Sequence, residues 1–191
     1  MAESQSIRFD HFLEKFPELP LPITLGEDTH HHFSQQNDVL PQRMIEQFIL
    51  PLEVIELEDI EEEGEASSSQ KRSIDLLEEE ELVEFVPCFR IPDTHDFHAI
   101  VYWRAGLMTY QYILVTFNKQ GLVIDYSVIA GTYSDGKTLT QSVATITEDW
   151  EIVVVSGQGD VSHPNQYDAA SSRATRFELL PDGKIAKADV F

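Results

Sequence analysis

Two short stretches bring together residue types that could do acid–base work. In Pro92-Asp93-Thr94-His95-Asp96-Phe97-His98, two histidines lie among two aspartates. A carboxylate beside an imidazole sets its tautomer, which is what a general base needs. On an extended chain His95 and His98 have opposite parity, so one strand cannot aim both at a single point without a bulge. Proline, aspartate and threonine are also ordinary turn residues. The stretch reads first as a turn before a strand, with Asp93, His95 and His98 as candidate catalytic side chains.

The second stretch runs from Gly157-Gln158-Gly159-Asp160 to Ser162-His163-Pro164-Asn165. It reads as a long connection between two strands. A nucleophilic triad requires its nucleophile on a constrained turn, with base and orienter arriving from elsewhere. Asp160, Ser162 and His163 are instead neighbours on one loop, so Asp160 and His163 stand as candidates without that context. Gly157-Gln158-Gly159 lacks the third glycine and the strand–helix setting of a dinucleotide fingerprint, and Gly131 to Lys137 lacks the spacing of a phosphate loop.

Metal chemistry has three adjacent candidates, His30, His31 and His32. Neighbouring side chains point apart in a strand and fan out in a helix, whereas a transition metal needs converging ligands. The stretch Thr24 to Asn37 therefore reads as a polar surface loop. Calcium would need carboxylates folded around one point, and no D-x-D-x-D-G pattern occurs. Cys88 is the single cysteine, which excludes a disulfide within the chain. Its place in a strand reads as a buried, inert thiol; a nucleophilic one would need a positive neighbour such as Arg90. No cofactor is implied.

Tyr102, Tyr110, Tyr112, Tyr126 and Tyr133, with Trp103 and Trp150, are many aromatics for one sheet. They either line a concave ligand face or fill a core beneath the N-terminal helices. The core reading is preferred, and the five tyrosines are the candidate ligand contacts.

These residues must be positioned by the stretch from Val83 to Phe191. Three turn signals recur there, at Asn118 to Gly121, Thr147 to Trp150 and Leu180 to Gly183. Each lies between β-branched or aromatic segments, and Gly121 and Gly183 supply the positive φ that tight reversals demand. From Tyr110 onward, Tyr112, Leu114 and Thr116 share one face and Ile113, Val115 and Phe117 the other. Both are mostly apolar, so this strand should be covered on both sides. Pro87 argues for an edge position or for the start of a strand. The fold class is α+β: an antiparallel β-meander of about seven or eight strands, a curved sheet or partial barrel, covered by N-terminal helices.

Residues 1–60 read as a helical and proline-rich annex packed on the sheet. Ser6 to Phe16 and Pro41 to Leu50 carry helical apolar stripes, and Leu19 and Leu21 lie between prolines. Leu52 to Ile60 alternates like an edge strand. Residues 61–72 read as an acidic, serine-rich mobile loop. Residues 73–191, opened by a short helix from Ile74 to Leu82, form the sheet domain of a single globular unit.

The formal charge is −21, from 34 acidic and 13 basic residues. Between Leu52 and Glu84 fourteen acidic residues face two basic ones, a net of −12. Such a surface repels phosphate backbones and anionic membranes, so no nucleic acid and no membrane are expected as partners. No apolar run is long enough to span a bilayer, and the first residues lack the basic flank and apolar core of a signal peptide. A cytoplasmic protein is the expectation. The leading functional expectation is a non-catalytic binding or protein-interaction protein that takes a basic protein partner, steered by charge. The alternative is a small-ligand-binding or hydrolytic enzyme whose pocket is edged by the 93–98 and 157–163 loops.

Overall fold

The computed structural model describes residues 6–51, 83–134, 136–160 and 172–188, with Asp160 described by its backbone alone. Among these residues eight strands follow one another, and each pairs antiparallel with the next. They are β2 (Glu84–Arg90), β3 (Phe97–Ala105), β4 (Thr109–Asn118), β5 (Val123–Ser134), β6 (Thr138–Ile146), β7 (Glu151–Asp160), β8 (Arg173–Leu179) and β9 (Ile185–Ala188). A short earlier strand, β1 (Ile23–Leu25), pairs with β6. Among the described residues the sheet does not close.

The reversals fall where the turn chemistry predicts. Gly121 and Gly183 have φ of 82° and 87°, a region that costs glycine nothing. Trp150 closes the middle reversal with φ of 62° and no such freedom.

Period two places a core on each face of β4. Tyr112 and Leu114 pack with Phe97, Ala99, Val101, Ile129, Ala144, Ile146 and Ile152. Ile113, Val115 and Phe117 pack on the other side with Phe12, Phe16, Phe48, Ile100 and Tyr102. The second core is roofed by α1 (Phe9–Leu13) and by α3 (Gln42–Met44), which continues as a wider π-helical turn over Ile45–Ile49. Beyond β5 the alternation leaves one face bare. Ala144, Ile146 and Ile152 are buried, while Val143, Val153 and Val155 are exposed.

The sheet splits at Gly131. β5 pairs with β4 along most of its length but with β6 only from Gly131 to Ser134. Gly131 has φ of 147°, and a Cβ there would lie 2.1 Å from the Tyr110 carbonyl oxygen. Only glycine tolerates that approach. Past this point β6 parts from β5, and β1 fills the vacated edge by pairing Ile23 with Ile146 and Leu25 with Ala144.

β2 is an edge strand, as Pro87 requires, and its register shifts between Pro87 and Phe89. The N-terminal segment covers that edge. Arg90 donates its N–H to the Pro17 carbonyl at 2.8 Å, Leu40 donates to the Phe85 carbonyl at 3.0 Å, and Asn37 Nδ2 donates to the Pro87 carbonyl at 2.8 Å. Leu19 and Leu21 lie partly buried against the first core.

Three expectations change. Thr24 to Asn37 is not a polar loop; it forms the end of β1, a 3₁₀ turn (Glu27–Thr29) and α2 (His30–Gln36). Leu25 and Phe33 bury there and supply the stabilisation that a run of polar residues conceals. Gly157 to Gly159 is not a loop either; it continues β7, paired with Gln141 to Leu139. A partner strand on the β6 side outweighs the weak strand preference of glycine. Helix α1 is also shorter than the stripe from Ser6 to Phe16 suggests. The expected edge strand at 52–60, the loop at 61–72 and the helix at 74–82 lie outside the described residues. Among the described residues no helix is long and apolar enough to cross a membrane.

Candidate functional site

The hairpin of β3 and β4 turns at Gly106, whose N–H bonds to the Thr109 carbonyl at 2.8 Å. That reversal sets Ala105 opposite Tyr110 and Trp103 opposite Tyr112. Trp103 and Tyr110 sit diagonally across the pair, within reach of each other. Their rings lie nearly parallel, 9° apart, with centroids at 5.9 Å. His30, the first residue of α2, stacks on Trp103 at 4.8 Å and 14°. Tyr110 is 44% exposed.

The base of this stack is tied down. The hydroxyls of Thr29 and Tyr112 lie 2.9 Å apart, and Thr29 Oγ1 donates to the Gly26 carbonyl at 2.7 Å. Burial pushes the Tyr112 phenol well above its ordinary range, so its proton stays in place. His30 Nδ1 meets the Glu27 carbonyl. Phe33 anchors α2 against Phe89 and Tyr112.

Two carboxylates border the stack along one row of the sheet. Glu84 pairs with Ala105, Ala105 with Tyr110, Tyr110 with Thr132, and Thr132 with Gln141. Gln141 Nε2 donates to Glu27 Oε2 at 2.8 Å. Tyr110 thus stands midway, two strands or about 10 Å from Glu84 on one side and from Gln141, which holds Glu27, on the other. Glu84 and Glu27 are both exposed. Apolar side chains continue the site toward the hairpin tip, where Leu107 and Met108 are exposed and the Met108 carbonyl accepts from Ser134 N–H at 3.1 Å.

The candidates singled out by residue type fall elsewhere. Asp93 holds φ of 61° in the turn between β2 and β3, a region aspartate tolerates, and His95 is exposed in the same turn. His98 points the opposite way, with its ring 5.8 Å from Phe9. Desolvation first, then the charges of Lys119 and Arg90, lowers its pKa, against a smaller opposing pull from Asp10. Asp160 ends β7. Its other end lies beside this turn, since Trp150 packs on Phe97 with centroids at 5.9 Å. β7 is ten residues long, so roughly 30 Å of strand separates Asp160 from Asp93, His95 and His98. His163 lies outside the described residues.

Of the three histidines, His30 turns into the stack while His31 and His32 are exposed. Among the described residues no three His, Cys, Asp or Glu side chains converge as a metal site would need. Cys88 is fully buried, and burial raises its pKa well above the usual thiol value. The five tyrosines do not share one face. Tyr112 belongs to the first core and Tyr102 to the second, where Tyr126 also packs. Tyr110 and Tyr133 are exposed.

Sequence reasoning missed the pairing of His30 with Trp103 and the row from Glu84 to Glu27. Part of the signal was present, because Gly106 between two aromatic runs marks a reversal and fixes which residues oppose each other. The contribution of α2 had no local signal. Comparison with family models, curated proteins and solved structures finds no match for the chain.

Proposed function

We propose that the protein is a non-catalytic binding protein that docks a basic protein partner. The observation that carries this reading is the charge of −21, with a net of −12 between Leu52 and Glu84 alone. A charge so concentrated attracts cationic partners over a Debye length and speeds their encounter. The exposed aromatic and apolar side chains around Tyr110 offer what long-range attraction lacks, a short-range contact of the residue types that dominate interfaces. The alternative pocket, edged by the 93–98 and 157–163 loops, is disfavoured by the length of β7 between Asp93–His98 and Asp160.

Pull-down at about 0.05 M and about 1 M salt tests this reading. A basic partner should be retained at the lower salt and released at the higher. It should also be lost when Glu78, Glu79, Glu80 and Glu81 are all changed to glutamine. Recovery of no salt-sensitive basic partner would overturn the proposal.

A further inference from the structure

We infer that the row centred on Tyr110 is a docking site for an extended cationic segment, with one arginine or lysine seated on the Tyr110 ring. The inference rests on the proposed basic partner and names where that partner binds. Three observations carry it. The Tyr110 ring is backed by Trp103, itself backed by His30, so its orientation is set before any ligand arrives. Tyr110 is also the exposed end of the stack. An aromatic face held in this way attracts a guanidinium or ammonium group.

The second observation is the placement of the carboxylates. Glu84 lies two strand spacings, about 10 Å, to one side of Tyr110, and Gln141, two spacings to the other side, holds the Glu27 carboxylate by a 2.8 Å hydrogen bond. A chain in polyproline II geometry covers about 9 Å in three residues and returns to the same face every third residue. A segment crossing the strands in that geometry, with cations three residues apart, therefore presents them on one side to Glu84, Tyr110 and the Gln141–Glu27 pair in turn. Third, the surrounding sequence distinguishes this stack from an ordinary acidic surface. From Phe97 to Ile124 there is no aspartate or glutamate, in a chain with 34 of them. The aromatic centre is thus free of acids while its two flanks carry them, and a cation is drawn in from both sides.

The test uses the full chain and a labelled peptide of sequence Arg-Ser-Ser-Arg-Ser-Ser-Arg, with binding followed by fluorescence anisotropy at low salt. Four variants are compared. Tyr110→Leu keeps bulk and removes the π face, and should weaken binding about two- to fivefold. Tyr110→Phe keeps the face and should bind within twofold of the parent chain. Glu84→Gln should weaken binding and flatten its salt dependence. Glu148→Gln, exposed in the turn before β7, removes the same charge far from the site and should leave affinity unchanged. If the peptide binds and Tyr110→Leu matches the parent chain, the docking site is overturned while the basic-partner reading stands. A chain with no salt-sensitive affinity for the peptide defeats the basic-partner reading itself, and the site with it.

Discussion

Thr116 places its hydroxyl oxygen 2.6 Å from the carbonyl of Gly183, sixty-seven residues further along the chain. The same oxygen lies 3.2 Å from the Asp125 carbonyl. Thr116 is fully buried, and its one proton goes to the nearer acceptor. This contact fastens the β8–β9 turn onto the middle of the sheet. Ile185 N–H reinforces it by donating to Asp125 Oδ2 at 2.8 Å. Replacing Thr116 with valine keeps the shape and leaves the Gly183 carbonyl without that partner. A loss of about 1–3 kcal/mol is expected, read as a lower urea midpoint. An unchanged midpoint would mean that the turn is held by packing alone.

Gly131 allows the sheet to divide. Any Cβ at this position strikes the Tyr110 backbone, and φ of 147° is strained for every other residue. Gly131→Ala should destabilise the fold by at least about 3 kcal/mol. Gly136, whose φ is 85° but whose surroundings are open, should cost less when changed in the same way, about 1–2 kcal/mol. Equal losses at the two positions in chemical denaturation would remove the close approach as the cause.

His98 makes stability depend on pH. Its folded pKa lies below the ordinary value of 6.5, because burial and the nearby charges of Lys119 and Arg90 oppose the imidazolium. The unfolded chain therefore takes up the proton first as pH falls. This contribution to stability is fully present above pH 6.5, declines below it, and levels off once the folded form is protonated too. His98→Gln should flatten the denaturation midpoint across that window. A parent and variant with the same pH slope would assign the dependence to other groups.

Cys88 should behave as an inert thiol. It is fully buried, and burial disfavours the thiolate that alkylating reagents attack. Native protein should resist iodoacetamide, and labelling should rise only with denaturant, in step with loss of the fold. Rapid labelling under native conditions would show that the β2 edge opens locally, despite the bonds it receives from Pro17, Asn37 and Leu40.

Much of the sheet is legible from residue order. Tyr110 to Phe117 reads as a strand covered on both sides, and its alternate residues do enter two cores. Pro87 reads as an edge residue or a strand start, and it lies within an edge strand. The glycines at 121 and 183 mark reversals that are present. What misled were residues whose type outweighs their setting. Three histidines disguise a helix pinned by Phe33, and two glycines at 157 and 159 disguise a strand whose partner supplies the pairing.

Local chemistry alone determined the meander: period-two apolarity, tight reversals and the charge of −21 follow from neighbouring residues and need no distant contact. Tertiary structure alone decided the rest. It brought His30 onto Trp103, set Glu84 and the Gln141 that holds Glu27 astride Tyr110, and carried Asp160 to the far end of β7 from His95. The reason is physical. Alternation fixes which side of a strand a residue faces, but strand order, register and the split at Gly131 fix which residues meet, and these depend on contacts between segments far apart in the chain.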